Sequence, residues 1–426
     1  MGVIVQKFGG SSVADTEKLF NLCRHITKEY NEGNKVVVVV SAQGKMTDKL
    51  VNEASEITSK PNPREYDVLL SAGEQITIAK LAMCLEELGY KSISYMGWQV
   101  PIITDSNHLN SRIKYIENRN ILKDLEEGKI VIIAGFQGID KEGNITTLGR
   151  GGSDTTAVSI ASSLNADRCE IYTDVDGIFS GDPRIIHDVK KLNTISFDEM
   201  LELSSMGAKV LHNRCVEIGK KYDTVIHVKS TFDSNSKGTI VGNKDDNFEH
   251  LVVSGITKED NNTRITVIYL NNKMNNNIFK LLAENNINVD IIVKANVENK
   301  DENVSFSVNT NNLDKTLEIL NSNLDKVNAK KVLHSKNFSK ISVVGIGMIN
   351  TPGVASTIFE TLYENDINIH MISTSEIKVS VLVDIEKADL AVRVLHDKFF
   401  LRLDLYGNGM CNSWDGFSLP CTCCIH

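Results

Sequence analysis

Two short stretches of this chain combine glycines, a fixed cation and small hydroxyl side chains where an apolar run gives way to a helical pattern. The first is Lys7-Phe8-Gly9-Gly10-Ser11-Ser12. The second is Thr147-Leu148-Gly149-Arg150-Gly151-Gly152-Ser153-Asp154. At such a turn the first backbone N–H groups of the helix lack partners and point outward, and the helix dipole adds positive potential. Both turns therefore suit an anion, and Lys7 and Arg150 add a cation to each. One such turn alone is equally a tight β–α connection; two of them with fixed cations in one sheet point to phosphate or carboxylate handling. Neither fits the GxxxxGK[ST] phosphate loop, and Gly345-Ile346-Gly347 lacks the third glycine of the dinucleotide fingerprint, Asn350 standing in its place.

A third cluster, Tyr172-Thr173-Asp174-Val175-Asp176-Gly177-Ile178-Phe179-Ser180-Gly181-Asp182-Pro183-Arg184, follows a predicted strand from Cys169. Asp and Gly at strand ends often only build turns. Here three acids, hydroxyls and an arginine run together, which suits a nucleotide and its metal ion. Glu74 and Lys209 sit in helical surroundings, where a lone charge is usually a solvated surface group.

The elements that must hold these turns alternate from residue 1 to about 240. Val36–Val40, Ile130–Ala134 and Thr224–Val228 are short apolar runs, expected as parallel strands covered on both faces. Leu19, Leu22, Cys23 and Ile26 share one helical face, as do Ala157, Ile160, Ala161 and Leu164. This predicts a doubly covered α/β domain. The polar segment 233–247 reads as its exit. An internal repeat follows: Glu284–Ile292 is ENNINVDII, and Glu364–Ile372 is ENDINIHMI. Each copy follows an apolar strand and a helix and precedes a strand pair, and a small sheet of that kind must pack on its twin or on a second chain.

The composition narrows the class. The chain has 426 residues, which suggests two or three domains. Its net charge of −9 argues against nucleic acid as a partner. No apolar run approaches a membrane span, the longest being Val36–Val40, so no membrane role is expected. The chain enters a strand within its first residues, so no signal peptide is expected, and Gln6 stands where a myristoylation motif wants Ser or Thr. Cys23, Cys84, Cys169 and Cys215 are scattered and read as reduced thiols of a cytoplasmic protein. The tail from about Gly407 carries Cys411, Cys421, Cys423 and Cys424; the cluster could ligate a metal, but without periodicity it reads as an appended, non-native or disordered terminus.

Taken in order, KFGGSSVAD, VVVSAQGKMTD, LSAGEQ, GFQG, TTLGRGGSDTTA, YTDVDGIFSGDPR, MGAKVLH and ISTSEIKVSVLV resemble the aspartate kinases (aspartokinases) of the amino-acid kinase superfamily. The likeness runs from Val3 to about residue 400. It implies a three-layer α/β/α kinase domain with a mostly parallel central sheet over 1–245, and a connector with a strand over 246–264. Two ACT domains of βαββαβ, ferredoxin-like form follow over 265–336 and 337–402, then the Cys-rich tail over 403–426. It also implies ATP-dependent phosphorylation of the β-carboxylate of L-aspartate, the entry to lysine, threonine and methionine synthesis, with Mg²⁺ arriving on ATP and no assigned protein metal ligand.

Carried over by position, Lys7 and Asp154 are the catalytic pair. Ser41, Thr47, Glu74, Phe136, Arg150, Gly151 and Ser153 fall on the substrate positions. Lys7, Gly9, Gly10, Ser11, Thr173, Asp174, Phe179, Arg184 and Lys209 fall on the ATP positions; no residue is assigned to the metal, for which Asp174 and Asp182 could add oxygen contacts. The ACT pair implies feedback by an end-product amino acid, lysine and/or threonine, and a homodimer or tetramer assembled through the repeats. Effector candidates are Met274, Asn288, Val289 and Asp290 in the first repeat. In the second they are the turn Asn350–Val354, including Gly353, with Ser373, Thr374, Ser375 and Glu376. Ser11 replaces a usual threonine and Phe179 a frequent tyrosine, and the first repeat has LNNKMNNN where the second has NTPGV. The rival readings are a glutamate or acetylglutamate kinase, which would not be expected to carry the ACT pair, and an amino-acid sensor with a silent kinase domain, against which Lys7, Arg150 and Asp154 all stand.

Overall fold

The computed structural model describes residues 2–205, 210–233, 236–243, 251–269, 277–295 and 303–401. Lys209, Met274 and the Cys-rich tail lie outside them. The first half runs β1 (Val3–Phe8), α1 (Thr16–Asn31), β2 (Lys35–Val40), α2 (Met46–Ile57), α3 (Pro63–Glu87), β3 (Ser92–Tyr95), β4 (Ile102–Thr104), β5 (Ile113–Ile116), α4 (Arg119–Glu126), β6 (Ile130–Ala134), β7 (Gln137–Ile139) and β8 (Ile145–Thr147). It continues through α5 (Gly152–Leu164), β9 (Arg168–Thr173), β10 (Thr194–Ile195), α6 (Phe197–Ser205), α7 (Asn213–Tyr222), β11 (Ile226–Ser230) and β12 (Thr239–Val241).

Eight of these strands form one sheet in the order β10-β12-β11-β9-β1-β2-β6-β3, parallel throughout except for the β11–β12 pair. β2 and β6 are buried along almost their whole length because helices cover both faces, which is why KVVVVV and IVIIA carry no polar alternation. β11 behaves differently from the expected apolar run. It starts at Ile226 rather than Thr224 and alternates buried and half-buried residues, since Lys229 reaches the carboxylate of Glu170. β1 lies between β9 and β2, where the chain turns from building one side of the sheet to building the other; ligands of open α/β sheets gather at such a switch point. A smaller sheet, β5-β4-β7-β8, leads into the second glycine turn, which follows β8.

Local chemistry starts and stops the helices. Asp15 caps α1, its side chain accepting from Lys18 N–H, and Leu19, Leu22, Cys23 and Ile26 turn inward as their spacing predicts. Asn62 caps α3, with Pro63 in the first turn where its missing N–H costs nothing. α3 corrects the reading that nothing approaches a membrane span: it is long and apolar enough, but half of its most apolar stretch is buried inside the protein. It is a core helix that carries two buried carboxylates, Asp67 and Glu74. Cys23, Cys84, Cys169 and Cys215 are buried free thiols, and burial pushes Cys23 up to about 12.

The second half comprises β13 (Gly255–Tyr269), α8 (Asn277–Glu284), β14 (Ile292–Ala295), β15 (Asn303–Asn309), α9 (Leu313–Asn321), α10 (Leu324–Val327), β16 (Ala329–Val344), α11 (Val354–Glu364), β17 (Met371–Thr374), β18 (Lys378–Asp384) and α12 (Ala388–His396). The repeats do not stack as separate sheets. They share one six-stranded sheet, β14-β15-β13-β16-β18-β17, because β13 and β16 are long enough to serve both. Residues 262–268 of β13 pair with β15 in the first repeat. Residues 255–259 instead pair with 340–344 of β16 and so complete the sheet of the second repeat. The stretch expected as a connector with a strand thus supplies the second repeat's fourth strand, and its pairing with β16 is long-range, announced by no local pattern. Ile291, Phe338, Met371 and Leu382 form a small apolar cluster where the repeats meet.

Candidate active site

Lys7 is the penultimate residue of β1, held in register against Val39 of β2 and Ile171 of β9. Parallel neighbours on both sides leave the strand no freedom, so the lysine is aimed by the sheet itself. Only 9% of it is exposed, and its Nζ lies 2.6 Å from Oδ1 of Asp154 in the first turn of α5. The following turn passes close under the next strand's loop: a Cβ on Gly10 would sit 2.8 Å from the carbonyl oxygen of Ala42. Gly44 N–H donates to Gly10 O at 2.9 Å, which fixes that approach. Ser11 is exposed, while the buried Ser12 hydroxyl contacts Thr231 Oγ1 at 2.8 Å. Thr231 N–H in turn donates to Thr173 O at 2.9 Å. Thr231 therefore joins the first turn to the Thr173 loop, a residue missed because a lone threonine after a strand carries no sequence signal.

The opposite side of Lys7 is built on α3. Glu74 is 3% exposed; its Oε1 accepts from Ala42 N–H at 3.0 Å, and its Oε2 is buried without a partner. Burial pushes this carboxyl up to about 7 even though the Ala42 amide pulls the other way. Two turns earlier on the same face, the fully buried Asp67 accepts from Leu109 N–H, from Thr147 Oγ1 at 2.5 Å and pairs with His108 Nδ1 at 2.5 Å. Asp67 thereby anchors the residue that begins the second glycine turn. Arg214 donates to Leu148 O and Ser111 O and braces the same turn from outside. The i, i+7 spacing of Asp67 and Glu74 was the available signal for Asp67; Arg214 had none.

The second turn needs its glycines for space as well as for backbone angle. Gly151 adopts φ 65°, and a Cβ there would strike the ring of His212. A Cβ on Gly152 would meet the ring of Phe136 at 2.7 Å. Phe136 itself holds a left-handed φ of 70°, with its N–H donating to Thr156 Oγ1; a bulky residue in that conformation stores strain of the kind found at functional sites. Ser153 is buried against Gly135, and Arg150 is exposed with no hydrogen bond or ion pair among the described residues. Ser41 follows β2 directly, and Thr47 is half-buried in the first turn of α2.

The Thr173–Arg184 stretch leaves the end of β9 next to β1. Asp174 is exposed and accepts from Thr173 Oγ1 at 3.0 Å. Phe179 is half-buried and bridges to Lys191. Arg184 is exposed and its guanidinium grips Asp182 in a two-point pair, with Nη2 at 2.6 Å, which holds the Asp182 carboxyl below its usual range. That pairing engages Asp182, the second of the acids expected near a metal. Among the described residues no cluster of three metal-ligating side chains forms. The hard oxygens of Thr173 and Asp174 at the loop mouth suit a supporting role for Mg²⁺ held mainly by phosphates.

The described effector candidates fall into two groups within one chain. Asn350–Val354 and Ser373–Glu376 lie at one end of the second repeat, where Gly345 N–H donates to Ile377 O. Asn288–Asp290 lie at the junction of the repeats, where Asp290 pairs with Lys340. Lys340 and Val344 are four residues apart on β16, so the groups are separated by about 13 Å along the strand.

The comparisons follow the same division. The profile of the amino acid kinase family matches residues 2–230, and an ACT domain profile matches 341–399. The chain is 48% identical over 403 residues to the aspartokinase of Bacillus sp. (strain MGA3), covering 94% of this chain and 98% of that one. Its fold is similar to E. coli aspartokinase III in complex with aspartate and ADP (R-state), with TM-score 0.79, 27% identity, and coverage of 93% of this chain and 100% of that chain. The lysine and aspartate complex (T-state) of the same enzyme superposes with TM-score 0.75 at 27% identity, covering 93% and 99%.

Proposed function

The chain belongs to the amino acid kinase family, as an aspartokinase with C-terminal ACT repeats, and from that premise we propose how its residues divide the reaction and its control. The observation that carries the reading is the Lys7–Asp154 pair standing between an unpartnered Glu74 oxygen on one side and the Thr173–Arg184 loop on the other. L-Aspartate presents its ammonium to Glu74 and its α-carboxylate to Arg150, which can grip it at two points. Ser41, Thr47, Phe136, Gly151 and Ser153 complete that pocket. ATP lies on the loop side, with Thr173 and Asp174 at the phosphates, Phe179 stacking on the nucleotide and Arg184 released from Asp182. Lys209 belongs to this half.

The β-carboxylate is ionised at neutral pH, since such groups titrate near pH ~4. It attacks the γ-phosphorus directly, and the bond to the β–γ bridging oxygen breaks as ADP leaves. No base is required, so Asp154 serves to orient Lys7. Lys7 Nζ and the amides of Gly9, Gly10 and Ser11 face the oxygens on which charge spreads. Asp174 and Thr173 would hold Mg²⁺ where it meets the protein, and the ion would neutralise charge at the phosphates. The test is ADP release with L-aspartate as acceptor, together with trapping of aspartyl hydroxamate. No turnover above background and no hydroxamate would overturn the reading in favour of a sensor with a silent kinase domain.

Arg150→Ala is expected to raise KM for aspartate by about ten-fold or more, the value of a charge-assisted two-point contact, with KM for ATP little changed. An unaltered aspartate KM in steady-state assays would remove Arg150 from the substrate pocket.

Control follows from the shared ACT sheet. An end-product amino acid, lysine and/or threonine, binds at the repeats, with Asp290 available to its ammonium, as suits the first step of lysine, threonine and methionine synthesis in the cytoplasm. β14 and β17 end the sheet with Ile292 and Ile372 exposed, edges through which a homodimer or tetramer assembles. Inhibition assays with lysine and threonine, separately and together, identify the effector.

A further inference from the structure

Two sets of bonds join the kinase domain to the second ACT repeat, and one of them attaches inside the nucleotide loop. Ser180 lies inside the Thr173–Arg184 loop and is fully buried. Its carbonyl accepts from Ile256 N–H at 2.8 Å, on the part of β13 that completes the second repeat. Its N–H donates to Lys190 O at 2.8 Å, and its hydroxyl accepts from Lys190 N–H at 2.9 Å. The same hydroxyl lies 2.8 Å from Nε2 of His396, the last residue of α12, 216 positions further on. His396 is fully buried and stacks on Phe400 with ring centroids 4.5 Å apart, and its Nδ1 has no hydrogen-bond partner. A buried ring that leaves one nitrogen unpaired makes its one polar bond, to Ser180, the more costly to lose.

α6 provides a second attachment. The buried Glu199 accepts from Ser254 Oγ at 2.5 Å and from Ile346 N–H at 2.9 Å, while Glu202 pairs with Lys378 at 2.9 Å. α6 leads into the segment that carries Lys209 and returns at His212 over Gly151. Thr47 and Glu74 are carried instead by α2 and α3, on the far side of β1.

We propose that His396 is a positioning residue for ATP: through Ser180 the second ACT repeat fixes the nucleotide loop of the kinase domain, and so sets affinity for ATP rather than for aspartate. The proposal rests on the reading of Thr173–Arg184 as the nucleotide loop. A shift of α12 or of the first part of β13 reaches Phe179 and Gly181 within one residue of Ser180, while the aspartate pocket keeps its own supports from Asp67 and Ala42.

The experiment compares steady-state KM for ATP and for L-aspartate in the full chain. His396→Phe keeps a ring to stack on Phe400 but deletes the bond; Ser180→Ala deletes it from the other side, together with the hydroxyl's bond from Lys190 N–H, and keeps the backbone bonds of Ser180 to Lys190 and Ile256. His396→Phe is expected to raise KM for ATP by about three- to ten-fold, the worth of one buried hydrogen bond, and Ser180→Ala by at least as much, with KM for aspartate changed less than about two-fold in both. His396→Gln, which can place a polar atom near the Nε2 position, is expected to recover part of the loss. The double variant is expected to be no worse than the more severe single one. An unchanged ATP KM in Ser180→Ala, a parallel rise of both KM values, or a loss of thermal stability alone would overturn the proposal. Asp174→Ala separates the two readings. If it raises ATP KM while the Ser180 and His396 variants do not, only the positioning role fails; if it leaves ATP KM unchanged, the nucleotide loop itself is misassigned.

Discussion

Lys7→Met is expected to lower kcat by about 10²-fold or more, equivalent to roughly 2.7 kcal/mol of transition-state stabilisation, while L-aspartate continues to bind. The expectation follows from where the lysine sits. Its backbone is fixed by two parallel neighbours and its ammonium is held by Asp154, so it meets the transferring phosphoryl group without reorganisation. Methionine fills similar space without the charge and leaves Asp154 without its cation, a change confined to the end of β1. The measurement is ADP release at saturating ATP and aspartate. An unchanged kcat would refute the role, and a loss confined to KM for aspartate would move Lys7 into the substrate pocket.

Glu74→Gln is expected to raise KM for aspartate by about 10- to 100-fold, the range for losing a charge-assisted contact to an ammonium in a dry site. The amide oxygen can still accept from Ala42 N–H, so the helix contact survives. In the unsubstituted chain the same residue predicts a pH dependence. Burial raises its carboxyl to about 7, so as pH falls through 7 it takes up a proton and loses its attraction for the substrate ammonium. KM for aspartate should therefore rise on acidification below about pH 7, and the Gln variant should lack this step. Stability moves in the opposite sense. A carboxyl whose folded pKa is raised favours the folded state below its unfolded pKa and loses that contribution as pH rises through the folded value. Glu74→Gln should consequently raise Tm at pH 8 more than at pH 5.5, and a thermal scan at the two values checks the sign. Equal shifts at both would mean that Glu74 is not strained by its burial.

The two glycine turns and their cations were legible in the sequence because their chemistry is local. A strand end, a glycine that must pass close to a neighbouring backbone, and a helix start are contiguous residues, and Lys7 and Asp154 announced themselves by type. The parallel strands were legible for the same reason, since burial on both faces removes polar alternation from β2 and β6. Glu74 was not legible as special by its own pattern. It looks like any charged helix residue until Ala42 is folded against it and its second oxygen is enclosed. Asp67 and Arg214, which hold the second turn in place, depend on contacts across 80 and 66 positions; the i, i+7 spacing from Glu74 hinted at Asp67, and nothing local hinted at Arg214.

The ACT region divides in the same way. ENNINVDII and ENDINIHMI disclosed two copies of one unit, because a repeated fold repeats its hydrophobic pattern. That residues 255–259 complete the second copy, and that Asp290 and the Asn350–Val354 turn fall at opposite ends of its sheet, was decided by pairing across about 80 residues of chain. By itself the sequence determined which residues carry charge at the ends of which elements, since propensity, capping and burial pattern act over a few residues. Only the tertiary structure decided which of those charges are left unpaired and which element braces each loop. Desolvation and long-range pairing, which raise Glu74 and tie Ser180 to His396, are properties of the packed chain.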